Sequence, residues 1–189
     1  MDPIRFVDSL DAQKHVVLVY EDQSFGNMIQ FRFINNGLIK GENCIYLTHG
    51  DPKIIKNEMA ESGINVKEFV QKNLLHIHKI SSPEKDPKGI LIGCENIVKQ
   101  ATAGKKPPYR MVGRIMPNIG IEETMSVQIA IERMAHATFE KLNSTVLCTY
   151  DFNEIPANDY KLWLSRLFSH HHAAIVSTRN GMTMADYLH

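Results

Sequence analysis

His15-Val16-Val17-Leu18-Val19-Tyr20-Glu21-Asp22-Gln23-Ser24-Phe25-Gly26-Asn27-Met28 reads as a strand, a short acidic turn and the opening of a helix. The first six residues form a continuous β-branched run of the kind that is buried on both faces of a parallel sheet. From about Phe25 the apolar residues switch to helical spacing, with Met28, Phe31, Ile34 and Leu38 on one face. Gly41 is placed to stop that helix. The same alternation continues down the chain. Residues 44–48 read as a second strand, followed by a helix that Asp51 caps, Pro52 opens and Gly63 ends. Residues 74–78 read as a third strand, 81–88 as a surface loop, and a helix then ends near Gly104. Residues 109–115 read as a fourth strand. A long helix over 122–142 follows, with Ile131, Met134, Thr138 and Leu142 expected on its core face. Residues 145–150 form a fifth strand, Asn158 caps a helix carrying Trp163, Leu164 and Leu167, and 173–178 form a sixth. Strands and helices alternating at this spacing predict an α/β fold of three layers, α/β/α, around a mainly parallel sheet. One domain over 1–189 is expected, with its core at about 14–178.

Composition narrows the function classes. With 43% hydrophobic and 22% charged residues, the 189-residue chain has globular composition and the length for one sizeable core. The 21 basic and 21 acidic residues cancel, and no basic stripe is visible, so direct nucleic-acid binding is not expected. Near-zero charge fits a homo-oligomer. Cys44, Cys94 and Cys148 lack CxxC spacing and read as reduced core cysteines. No apolar run approaches the ~20 residues that span a bilayer, and no signal peptide is evident. A soluble, cytoplasmic protein without membrane contact is expected.

In an open α/β sheet, ligands bind outside the carboxyl ends of the strands. The first such turn is where a nucleotide-binding version of the fold carries G-x-x-x-x-G-K-[ST]. Here Gly26 can stand for the last glycine, but Asn27 then replaces the lysine and Met28 the magnesium-binding hydroxyl. Glu21 and Asp22 also put negative charge where phosphates would rest. No ATP hydrolysis, no catalytic residue and no cofactor are expected. The helix N-terminus with Ser24 still offers free N–H groups to a small polar ligand, unless Ser24 or Asp22 merely caps it.

Residues 33–48 resemble the F-x-x-x-G-x-x-x-G-E-x-x-x-Y-x-T segment of KaiC/RecA-like ATPases. Over roughly 14–176 the chain resembles more closely the MEDS domain, the DcmR-type sensory domain of methanogen and methylotroph regulators. His15 with Tyr20-Glu21 is similar to that family's H-x-x-x-x-Y-E opening, and Cys148 with Tyr150-Asp151 to its C-x-Y-D segment. His170 falls at its later T-H-P element, with His171 where the family has proline, and residues 110–114 resemble its arginine-containing fourth strand. The resemblance implies a RecA-like sheet without a working phosphate loop, used to sense a small, hydrocarbon-derived molecule beside kinase, PAS or DNA-binding modules.

The residues expected to line a ligand site are therefore those at the strand ends. Tyr20 and Phe25 would give apolar walls, Glu21 and Asn27 polar orientation, and Gly26 and Ser24 the helix terminus. His49, Arg114, Tyr150, Asp151 and His170 would complete it. Arg114 either pairs with Asp151 or holds a ligand carboxylate. No metal site is expected, because His170-His171-His172 are consecutive near a helix end and His76 with His78 read as a polar strand face. A signalling partner, such as a sensor kinase or transcription regulator, would read the output. A divergent KaiC-like nucleotide-binding protein and a ligand-free interaction scaffold are the two other readings.

Overall fold

His15–Tyr20 (β1) is buried at every position and forms an inner strand of the sheet. Burying each of its valines and Leu18 contributes roughly 1.5–3 kcal/mol. The computed structural model describes residues 1–10, 13–178 and 183–188. Its other strands are Asn43–Thr48 (β2), Leu75–Lys79 (β3), Tyr109–Val112 (β4), Ser144–Asp151 (β5), Ala173–Ser177 (β6) and Thr183–Tyr187 (β7). They lie in the order β3-β2-β4-β5-β1-β6-β7. The six strands expected from sequence are parallel, and β7 adds an antiparallel edge beside β6. Two layers of helices cover the sheet, giving the three-layer α/β/α architecture that the alternation predicts.

On one face lie Pro3–Ser9 (α1), Gln23–Ile39 (α2), Pro52–Glu61 (α3) and Val66–Gln71 (α4), packed on Val16, Leu18, Tyr46 and Ile175. On the other lie Ile90–Thr102 (α5), Glu122–Thr138 (α6) and Tyr160–Phe168 (α7), packed on Val17, Val19, Tyr150 and Val176. Asp51 caps α3 with Pro52 in its first turn, and Gly41 and Gly63 take positive φ at the helix ends, as their positions in sequence foretell. Among the described residues no helix is long and apolar enough to cross a membrane.

Several local expectations are corrected. Met28 is exposed, whereas Phe31, Ile34 and Leu38 are buried as expected and Ile29 and Phe33 widen the buried face of α2. That wider face shares its core cluster with Phe6 and Val7 of α1, a helix absent from the sequence reading. α4 was also unforeseen, although Asn65 caps it by accepting from the Glu68 N–H. β4 ends at Val112, where Gly113 takes φ 143° and a Cβ would meet Leu47 O at 2.7 Å. Asp159, in the left-handed region, rather than Asn158, precedes α7.

One buried ion pair holds the α2 layer to the sheet. Arg110 on β4, 1% exposed, donates to Glu42 at 2.6 and 3.3 Å and lies 4.6 Å over the Phe33 ring. Gly37 makes room for it: a Cβ there would come within 2.5 Å of the Arg110 side chain. Removing one partner strands a buried charge, so Glu42→Gln should lower stability by about 3 kcal/mol in urea denaturation. An unchanged midpoint would show that the pair is dispensable.

Candidate functional site

At the carboxyl ends of the strands a crevice of about 160 Å³ is lined by Tyr20, Gln23, Gln30, Tyr46, Thr48, His49, Arg114, Thr149 and Glu154. Three residues expected there, Tyr20, His49 and Arg114, do meet in it. Arg114 is engaged, however. It pairs with Glu154 at 2.6 Å rather than with Asp151, and donates to the Met116 and Pro117 carbonyls at 2.8 and 3.0 Å. Asp151 instead accepts from the Asn153 N–H, capping a short 3-10 turn.

The turn after β1 leaves two residues, Glu21 and Asp22, before α2 begins. Asp22 caps the helix, accepting from the Phe25 N–H at 2.8 Å and from the Ser24 hydroxyl. An anion that approached this terminus would meet a carboxylate already seated on its donors. Gly26 lets the helix lie against the Tyr20 ring, and Phe25 packs partly into the core. Asn27 accepts from Gln23 at 2.7 Å, and the Glu21 carbonyl accepts from Asn153.

Two of the expected residues belong elsewhere. Tyr150 is fully buried, and its hydroxyl donates to Glu132. His170 precedes β6, and β6 runs parallel to β1. It therefore sits at the amino end of the strands, opposite the crevice, where its carbonyl accepts from His15 Nδ1 at 2.9 Å.

A larger opening lies between α5 and α6. It measures about 460 Å³, with Met111, Val146 and Cys148 as its floor. Val98 and Thr102 of α5 form one wall, and Ile131, Met134, Ala135 and Thr138 of α6 the other. Leu47, Gly113 and Arg114 border both this groove and the crevice. The α6 stripe expected to be core therefore divides. Met125, Gln128, Ile131 and Glu132 are buried, whereas Met134, Thr138 and Leu142 line the open groove.

Beside the groove's inner wall, four side chains from separate elements converge. His15 of β1, Glu132 of α6, Cys148 of β5 and His171, just before β6, place one donor atom each within 4.8 Å of one another. Glu132 Oε2 lies 3.2 Å from His15 Nε2, 3.2 Å from Cys148 Sγ and 3.4 Å from His171 Nε2. Its Oε1 accepts from Tyr150 and from Gln128 at 2.7 Å, and Gln128 in turn accepts from the Met116 N–H. Burial holds the His15 imidazole below its usual pKa, with nearby His171 adding to the effect. Burial alone would raise Glu132, and its two histidine neighbours, when they carry positive charge, pull it well below the carboxylate range. Burial and the adjacent carboxylate push the Cys148 thiol up, so alone it is a thiol, not a nucleophile. The sequence reading missed this cluster. Its available signal was the polar pair Gln128 and Glu132, four residues apart within an apolar helix stripe.

Residues 14–172 match the family described as MEDS, the MEthanogen/methylotroph, DcmR Sensory domain. A solved structure of a KaiC-like protein from the hyperthermophilic archaeon Pyrococcus horikoshii is similar in fold, with a TM-score of 0.60 at 15% identity. The likeness spans 93% of this chain and 77% of that one, and at such identity it shows the fold alone. No curated protein is similar in sequence.

The crevice wall gives a direct test of local packing. A Cβ on Gly26 would lie 2.8 Å from two Tyr20 ring carbons. Replacing a helical glycine by alanine ordinarily gains about 1 kcal/mol of propensity, but the overlap outweighs it. Gly26→Ala should cost about 1–3 kcal/mol in chemical denaturation and tilt the Tyr20 ring, read from its NMR shifts.

Proposed function

This chain belongs to the MEDS family of sensory domains, and from that premise we propose that it binds a small, largely apolar organic molecule in the groove between α5 and α6. The groove is the observation that carries the reading. Its volume of about 460 Å³ falls within the ~300–1,000 Å³ of pockets that enclose drug-sized ligands. Its floor and walls are mainly aliphatic; Arg114 stands at the end shared with the crevice, the exposed Glu95, Lys99 and Lys141 border it, and Glu132 and Cys148 lie inside. That composition suits a hydrocarbon-derived molecule, whose burial the apolar surface drives and whose orientation one polar group fixes. The strand-end crevice, at about 160 Å³ and with Arg114 already paired, would supply the polar end of that site.

The domain would act without catalysis. A two-residue turn cannot wrap a triphosphate, and Asp22 occupies the helix-terminal donor that a phosphate would need. The output would be a change in α5 and α6 that a regulatory protein, such as a sensor kinase or transcription regulator, or a second copy of the chain reads.

Ala135 lies midway along the groove wall, and tryptophan there would fill it. Screening apolar alcohols, amines and aromatic compounds by thermal shift should find a stabilising class, with affinity falling at least about tenfold in Ala135→Trp, roughly 1.4 kcal/mol. No stabilisation by any compound would favour a ligand-free scaffold. Mg-ATP should neither raise the melting temperature nor release phosphate above background. Turnover would establish the nucleotide-dependent reading instead.

A further inference from the structure

The cluster of His15, Glu132, Cys148 and His171 is short of protons for the acceptors it holds. His15 donates from Nδ1 to the His170 carbonyl at 2.9 Å, and His171 from Nδ1 to the Leu167 carbonyl at 2.6 Å. A carbonyl only accepts, so each neutral ring carries its proton on Nδ1 and turns a lone pair at Nε2 inward. Those two lone pairs and Glu132 Oε2 face one another, and the Cys148 thiol supplies a single hydrogen to the three. Among the described residues His171 Nε2, in a residue 0% exposed, has no hydrogen-bond partner, although it faces Glu132 Oε2 at 3.4 Å. A buried polar atom left without a partner is costly.

A cation relieves all of this at once. Four of the six separations, at 3.2 to 3.4 Å, are close to the edges of a tetrahedron built from about 2.0–2.3 Å bonds to nitrogen, oxygen and sulfur, which run at about 3.3–3.8 Å, and the other two lie within 4.8 Å. Backbone carbonyls on both Nδ1 atoms are the outer contacts that fix metal-binding imidazoles. Tyr150 and Gln128 do the same for the carboxylate. We propose that His15 Nε2, His171 Nε2, Cys148 Sγ and Glu132 Oε2 form a four-coordinate site for one divalent ion of the zinc class. The mixed imidazole, thiolate and carboxylate set suits Zn²⁺, with Co²⁺ as its spectroscopic substitute. Binding replaces the Cys148 proton, which leaves to solvent. One dication with a thiolate and a carboxylate then makes the buried site neutral.

The metal site shares Glu132 and Cys148 with the inner wall of the groove, but its test needs no groove ligand and is made on the full chain. Protein purified without added metal is assayed for bound zinc by elemental mass spectrometry, then stripped by chelator and titrated with Co²⁺. The expected result is one equivalent of cobalt, a thiolate-to-cobalt charge-transfer band, the visible bands of four-coordinate cobalt, and a higher melting temperature. Cys148→Ser should abolish the charge-transfer band and weaken cobalt binding by about 100-fold or more, beyond what outer contacts cost. A Cys44→Ser/Cys94→Ser double variant should keep the band, which assigns it to Cys148 should Cys148→Ser not fold. Wild-type protein that shows no charge-transfer band through the titration overturns the site. So does a band that persists in folded Cys148→Ser, or one lost from a folded double variant. A hydrogen-bonded core cluster would then be the whole account.

Discussion

A carboxylate taken fully out of water loses several kcal/mol of hydration, and Glu132 is one, 2% exposed in the middle of a helix that faces a parallel sheet. Every group around it can be understood as a response to that cost. Tyr150 and Gln128 donate to one oxygen, while Cys148, His15 and His171 surround the other. Those residues come from β5, α6, β1 and the segment leading into β6, so satisfying one charge ties the central strands to the helix layer above them. Register makes this possible. His15 and Cys148 share a face of adjacent parallel strands, one step apart along the ladder, because Val17 rather than His15 lies beside Cys148.

The other face of the sheet solves a similar problem differently. Arg110, 1% exposed, answers Glu42 with two hydrogen bonds and the Phe33 ring, in a space kept open by Gly37. One buried carboxylate per face thus helps fix how the helices seat on the strands. What the second helix layer leaves uncovered is the strip of sheet between α5 and α6, where Met111 and Val146 form the floor of an apolar groove. A parallel sheet normally needs both faces covered. A strip left open beside a polar cluster is where such a fold can admit a molecule from outside.

The periodicity of the chain made the sheet legible. Six strands and all but one of the helices between them follow from apolar runs and from stops such as Gly41 and Gly63, because burial on both faces demands unbroken β-branched stretches. β7 escaped that reading, being a short edge strand with polar Asp186 and Tyr187 near its end. The exposure of Met28 escaped it too, since Met28 and Ile29 are both apolar and packing against the sheet and α1 decides which one turns inward. Of the expected site residues, Tyr20, His49 and Arg114 meet because each stands at or just beyond the carboxyl end of a strand. His170 does not, because it precedes its strand.

The sequence by itself determined the layered α/β plan, the family and the acidic turn after β1, since hydrophobic spacing and local motifs act through neighbours in the chain. Only the tertiary structure decided where the chemistry gathers. His15, Glu132, Cys148 and His171 come from four separate elements, up to 156 positions apart. No local pattern links them, because strand order and register, not spacing along the chain, set which side chains share a buried face. The groove has the same origin. Met134 and Thr138 carry the spacing of a core stripe, and the gap between α5 and α6 turns that stripe into a wall.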